Sequence, residues 1–154
     1  MSPNKSLLIR PLEPADAAAI GAFMRLQPPE YLRFFYAFGS DESAISEMLS
    51  AAERDVYSGV FWQDNLVGVF FLRGLDAGYE LPSLGVLVEE KYRGKGILSL
   101  MIDSAKLIVR LSGAKRIIAK SHPDNAGLKN LIRMGFREIG VEESTGNTIW
   151  HLEV

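Results

Sequence analysis

Two hydrophobic periodicities alternate along this chain. Residues 84–88 are apolar on both faces, the pattern of a central strand covered on both sides. A short basic, glycine-containing turn follows. Then Ile97, Leu100, Met101, Ala105 and Ile108 recur at helical spacing and predict a helix over 96–111. The same reading makes 7–10 a short strand. Pro14 and Asp16 open a helix carried by Ala17, Ala18, Ile20, Phe23 and Met24, and Pro28-Pro29 ends it. Ser40-Asp41-Glu42 caps a second helix over 42–53. Residues 57–62 and 66–73 predict a hairpin across Asp64-Asn65, with further strands over 81–88 and 116–121. Pro123-Asp124-Asn125 leads into a helix ending near Met134, and 136–142 with 148–153 close the sheet as a last hairpin. The order is β-α-α-β-β-β-α-β-α-β-β. It predicts one α/β domain over 1–154, a mixed sheet with helices on both faces.

Composition narrows the function classes. With 47% apolar and 23% charged residues, the 154-residue chain is long enough for a substantial core. A net charge of -2 and a pI near 5.7 supply no general attraction for nucleic acid or an anionic membrane. No apolar run is long enough to span a bilayer. Residues 1–6 lack the apolar core of a signal peptide, so a cytoplasmic location is the expectation. There is no cysteine, and His122 and His151 are the only histidines, so neither a disulfide nor a structural metal site is expected. A thiol-borne acyl-enzyme is excluded for the same reason.

The candidate chemistry centres on Arg93-Gly94-Lys95-Gly96. Its two glycines allow a tight turn and a close backbone approach, and the helix behind presents unpaired N–H groups beside two cations. That is a phosphate-binding arrangement. A surface turn with solvated charges is the plainer alternative. A Walker loop needs Ser or Thr after the lysine, and Gly96 stands there. A dinucleotide fingerprint needs a third glycine, and Leu98, Ser99 and Leu100 offer none.

On these residues the chain resembles the GCN5-related N-acetyltransferases (GNAT), whose signature is Gln/Arg-x-x-Gly-x-Gly/Ala. Arg93, Gly94, Lys95, Gly96 and Ile97 fit it in register, and Leu98 departs from it where a small residue is usual. Gly135-Phe136 and the order of elements extend the resemblance over nearly the whole chain. It implies a mostly antiparallel twisted sheet and an acetyl-coenzyme A co-substrate. Residues 93–98 would hold the pyrophosphate. The backbone of Val86, Leu87 and Val88 would meet the pantetheine arm, as would Asn125, whose other role is helix N-cap. Direct transfer to a bound primary amine of a small molecule, such as an amino sugar or other metabolite, would follow. A homodimer is compatible with the pattern; nucleic acid and membrane are not expected partners.

The remaining candidates have two readings each. Glu80, with Tyr79 beside it, would take the amine proton if it stands on the glycine-turn strand on the face of Pro82, Leu84, Val86 and Val88. Otherwise it is a solvated strand-end carboxylate. Leu131 stands where the family commonly has a proton-donating tyrosine; Tyr79, Tyr92 or water would have to substitute. The segment 31–38 holds five aromatics. Tyr31, Arg33 and Phe35, with Arg73 on the neighbouring loop, would line the acceptor pocket or, alternatively, anchor the loop. His122 reads as a structural residue on the site side of the sheet. A non-catalytic acetyl-coenzyme A sensor is the rival function, favoured by Leu98 and Leu131.

Overall fold

A computed structural model describes residues 5–35, 37–125 and 128–154. Seven strands form one sheet: β1 (Leu7–Pro11), β2 (Val56–Trp62), β3 (Asn65–Arg73), β4 (Ser83–Val88), β5 (Arg116–Ser121), β6 (Arg137–Val141) and β7 (Thr148–Glu153). Their spatial order is β1-β2-β3-β4-β5-β7-β6, so β7 returns between β5 and its own hairpin partner. Every pairing is antiparallel except β4 with β5. The helices are α1 (Ala17–Arg25), α2 (Pro29–Leu32), α3 (Glu42–Ala51), α4 (Ile97–Leu111) and α5 (Leu128–Arg133).

Helices cover both faces because strand residues alternate between two cores. On one face Phe70, Leu72, Val88, Ile117 and Ala119 pack against Met101, Ile102, Ala105 and Val109 of α4. On the other, Tyr57, Val69, Phe71 and Leu87 meet Ile20, Phe23 and Met24 of α1 and Ile45 and Leu49 of α3. The start of α1 is fixed by Asp16, which accepts two Arg10 N–H bonds at 2.8 Å and the Glu13 N–H at 2.7 Å. Those contacts, Arg10's hydrogen bond foremost, hold the Asp16 carboxyl below its usual range.

Several boundaries differ from the sequence expectation. The β2–β3 hairpin turns at Gln63 and Asp64, with φ of 52° and 67°, rather than at Asp64-Asn65. Trp62 already pairs with Asn65, so the loop has two residues, both left-handed. Helix α3 stops at Ala51 and not near Glu53, because Asp76 accepts the N–H groups of Glu53, Arg54 and Asp55 and draws them into a turn. An extra helical turn, α2, opens at Pro29: the proline that follows one helix also sits at the first position of the next, where its missing N–H costs nothing. Strand β4 begins at Ser83, not residue 81. Residues 126 and 127, inside the expected late helix, lie outside the described residues.

Candidate cofactor cleft and acceptor face

The site grows from one break in the sheet. Strands β4 and β5 run parallel, and Ser83 with Ile118 is the only residue pair joining them among the described residues. The Glu89 N–H donates to Val67 on β3, and the Ile118 N–H donates to Pro82, both at 2.9 Å. In β geometry this turns the amides and carbonyls of residues 84, 86 and 88 toward β5. Val86 and Val88 lie past the last bridge. Their edge groups face a cleft at the C-terminal ends of two parallel strands, the usual ligand position in open α/β sheets.

The glycine turn follows directly. Gly94 and Gly96 take φ of 76° and 95°, a region costly for side-chain-bearing residues, and a Cβ built on either meets nothing within 4 Å. Gly96 is the N-cap of the 15-residue α4, with no side-chain hydrogen bond capping the helix. The first intrahelical bond runs from the Leu100 N–H to the Gly96 carbonyl, so the turn and the first helical residues present their N–H groups outward. Leu98 and Ile97 pack their side chains against the α4 core. The bulk of Leu98 is therefore spent inward, while its backbone stays with the turn. Arg93 and Lys95 are exposed beside it. An open cradle of N–H groups flanked by cations fits a pyrophosphate, and a strand edge that runs past its last bridge fits an amide-bearing chain.

The aromatic segment lies across this cleft. The Tyr31 hydroxyl accepts the Val88 N–H at 3.4 Å, and the Arg93 guanidinium stacks on the Tyr31 ring at 3.7 Å. Three residues on, Phe34 stacks on His122 with ring centroids 4.5 Å apart and planes at 11°. His122 follows the end of β5 and accepts the Asp124 N–H on Nδ1 at 3.1 Å. One short segment thus touches the end of β4, the end of β5 and the glycine turn. Phe35 and Phe38 pack edge-on against Phe71, at 5.8 and 5.9 Å. Arg33 is exposed and lies over Phe34. Arg73 donates to the Ala37 carbonyl at 2.8 Å, so it holds the segment in place. On the other side of α2, a cavity of about 420 Å³ is lined by Met24, Gln27, Pro29, Leu32, Phe35 and Phe38.

Of the other predicted residues, Glu80, Tyr79 and Leu131 fall apart from this cluster, while Asn125 adjoins it through His122. Glu80 precedes β4 and is exposed, so the strand alternation that would set it on the face of Val86 and Val88 does not reach it. Tyr79 is 65% exposed, and its ring covers Gly74. Asn125 donates its N–H to the His122 carbonyl at 2.9 Å. Leu131 packs against the α4-side core. Sequence reasoning did not find the Phe34–His122 stack. Aromatic density in 31–38 was the available signal, but no periodicity says which aromatic crosses to β5.

The fold and the sequence can be set beside known proteins. The PaiA N-acetyltransferase of Thermoplasma acidophilum, solved with coenzyme A, superposes with a TM-score of 0.81 at 15% identity, covering 97% of this chain and 99% of its own. An acetyltransferase of Salmonella typhimurium that modifies the N-terminal serine of ribosomal protein L7/L12 gives 0.79 at 12% identity, over 97% and 95% of the two chains. The ribosomal-protein-S5-alanine acetyltransferase of Vibrio fischeri gives 0.76 at 15%, over 96% and 92%. At such identities these likenesses establish the fold. No curated protein matches the sequence significantly. A family model described as an acetyltransferase (GNAT) domain matches residues 6–137, most of the chain, and the protein therefore belongs to the GNAT acetyltransferase family.

Proposed function

We propose that this chain transfers an acetyl group from acetyl-coenzyme A to a primary amine of a small molecule, in a complex holding both substrates. The observation that carries the reading is the strand edge of Val86 and Val88, which runs past the single Ser83–Ile118 bridge into the Gly94–Gly96 turn and the uncapped start of α4. Acetyl-coenzyme A supplies an activated acetyl thioester. Residues 93–98 would bind its pyrophosphate through backbone N–H groups, with Arg93 and Lys95 adding charge. The backbone edge of Val86 and Val88 would align its arm, with Leu87 between them turned to β3 and so holding the edge in register, and an N–H from this edge would polarise the reacting carbonyl. Asn125, beside the end of β5, would meet the same arm.

On the acceptor side, Glu80 would receive the amine proton, directly or through water, with Tyr79 beside it. Its exposed loop position requires the acceptor, or a water, to reach out to it. Tyr31, Arg33 and Phe35 would border the acceptor, and Arg73 would fix that border through Ala37. With no cysteine in the chain, no thiol can carry the acetyl group between half-reactions. The setting of this reading is the cytoplasm.

Two alternatives have specific observations behind them. Leu131 is committed to the core and has no proton to give a departing thiolate, which favours a cofactor-binding sensor without turnover. Two fold neighbours are named for ribosomal proteins, which makes a protein N-terminus the second acceptor class. The experiment is a thiol-release assay with acetyl-coenzyme A against a panel of small amines, amino sugars and peptides beginning with serine or alanine. Release with a small amine, and intersecting initial-rate lines for the two substrates, is the expected outcome. Release only with peptides moves the acceptor to proteins. Binding with no release across the panel leaves the sensor.

A further inference from the structure

The Val88 N–H, assigned above to the coenzyme A arm, already has a partner within the chain. The Tyr31 hydroxyl takes it at 3.4 Å, well beyond the 2.9–3.0 Å typical of an N–H···O bond, so the contact is weak. The same ring carries Arg93, the first residue of the phosphate turn, at 3.7 Å. From the geometry we infer that Tyr31 is an internal competitor for the cofactor: its hydroxyl holds the edge of β4 in the free protein and must yield for the arm to enter, while its ring positions Arg93. This inference rests on the coenzyme A reading.

Three further observations fit a displaceable element. Tyr31 sits on the four-residue helix α2, a single turn with little stability of its own. Its second anchor is the Phe34–His122 stack at the end of β5, so the segment closes the cleft from one strand end to the other. Behind it, Pro29, Leu32 and Phe35, at three-residue spacing, line the cavity of about 420 Å³, which gives the turn room to withdraw. The exchange substitutes one acceptor for another on a single N–H. The chain thus keeps that donor paired in both states, avoiding the cost of a bare amide in a half-buried cleft.

The test follows coenzyme A binding, not turnover. Coenzyme A is titrated into isotope-labelled wild type, Tyr31→Phe and Phe34→Ala, with the Val88 amide resonance and the dissociation constant as readouts. Tyr31→Phe keeps the ring under Arg93 and removes only the competing oxygen, so its affinity should rise about two- to tenfold, the span of one modest hydrogen bond. The free-state Val88 resonances of wild type and Tyr31→Phe should differ, then converge at saturation. Phe34→Ala, which frees the second anchor, should also bind more tightly. The inference is overturned if Tyr31→Phe binds no more tightly than wild type, if the Val88 resonances still differ at saturation, or if Phe34→Ala binds less tightly. Coenzyme A that binds none of the three proteins removes the cofactor reading itself, and the competitor with it.

Discussion

Gly85 is the position where one methyl group should do most harm. It lies on β4 directly opposite Phe71 of β3, and the Phe71 ring covers it. A Cβ built at Gly85 would stand 2.0 Å from Cζ, 2.3 Å from Cε2 and 2.7 Å from Cε1 of that ring. Carbon atoms sit comfortably at about 3.5–4.0 Å, so the ring must move by roughly 1.5 Å. It cannot swing away freely, because Phe35, Phe38 and Tyr57 surround it at 5.8, 5.9 and 6.0 Å. Overpacking a fitted core costs about 1–3 kcal/mol, and the blocked ring puts Gly85→Ala near the top of that range. At about 2–4 °C per kcal/mol for a chain of this size, the melting temperature should fall by roughly 6–12 °C. Thermal unfolding by circular dichroism reads this directly. Gly140→Ala is the control: its added Cβ meets nothing within 4 Å, so stability should stay within about 0.5 kcal/mol of wild type. In a Phe71→Leu background Gly85→Ala should cost less by about 1–2 kcal/mol, the coupling expected of contacting residues. A Gly85→Ala protein melting within about 1 °C of wild type, or a strictly additive double mutant, would refute the reasoning.

Two other outcomes concern carboxylates. If Glu80 takes the amine proton, Glu80→Gln should lower turnover by roughly a hundredfold with little change in coenzyme A affinity, and the loss should shrink as pH rises. Turnover near wild type at every pH would mark a solvated glutamate. Asp16 and Asp76 are both held below the ordinary carboxylate range, Asp16 first by Arg10 and Asp76 first by the Arg54 N–H. A depressed folded-state pKa stabilises above the unfolded value and is lost as pH falls through the folded one. Chemical denaturation should therefore show stability falling as pH drops below about 4, and Asp76→Ala should flatten that fall while lowering stability at neutral pH. A variant with an unchanged acid limb would remove Asp76 from that role.

Much of this was legible in the sequence because local physics decided it. Residues 84–88 and the helix from Ile97 have strong periods, and the glycines at 94 and 96 sit where only a left-handed backbone makes the turn. What escaped was decided by distant partners. Asp76 shortens α3 through bonds spanning more than twenty residues, and no pattern within the helix announces that. The insertion of β7 between β5 and β6 is a matter of tertiary pairing. At the site, backbone roles were readable, since a strand edge and a helix start depend on element type. Side-chain roles were less so. Alternation placed Glu80 on β4 only by carrying the strand three residues back beyond Ser83, where the strand begins. The five aromatics in 31–38 were visible as a cluster, but nothing in the sequence says that Tyr31 is the one that reaches Val88 and Arg93.

Thermal unfolding with saturating acetyl-coenzyme A tests the central claim most directly, run on wild type and Gly96→Glu. A ligand at a hundred times its dissociation constant stabilises by about 2.7 kcal/mol, which raises the melting temperature of a chain this size by roughly 5–10 °C. Gly96→Glu places a carboxylate, at a position with φ of 95°, where the phosphates would sit, so it should lower ligand-free stability and abolish the ligand-induced rise. A rise in wild type that vanishes in the variant is the predicted result. No rise in wild type, or an equal rise in both, would contradict the placement of the cofactor on the Gly94–Gly96 turn.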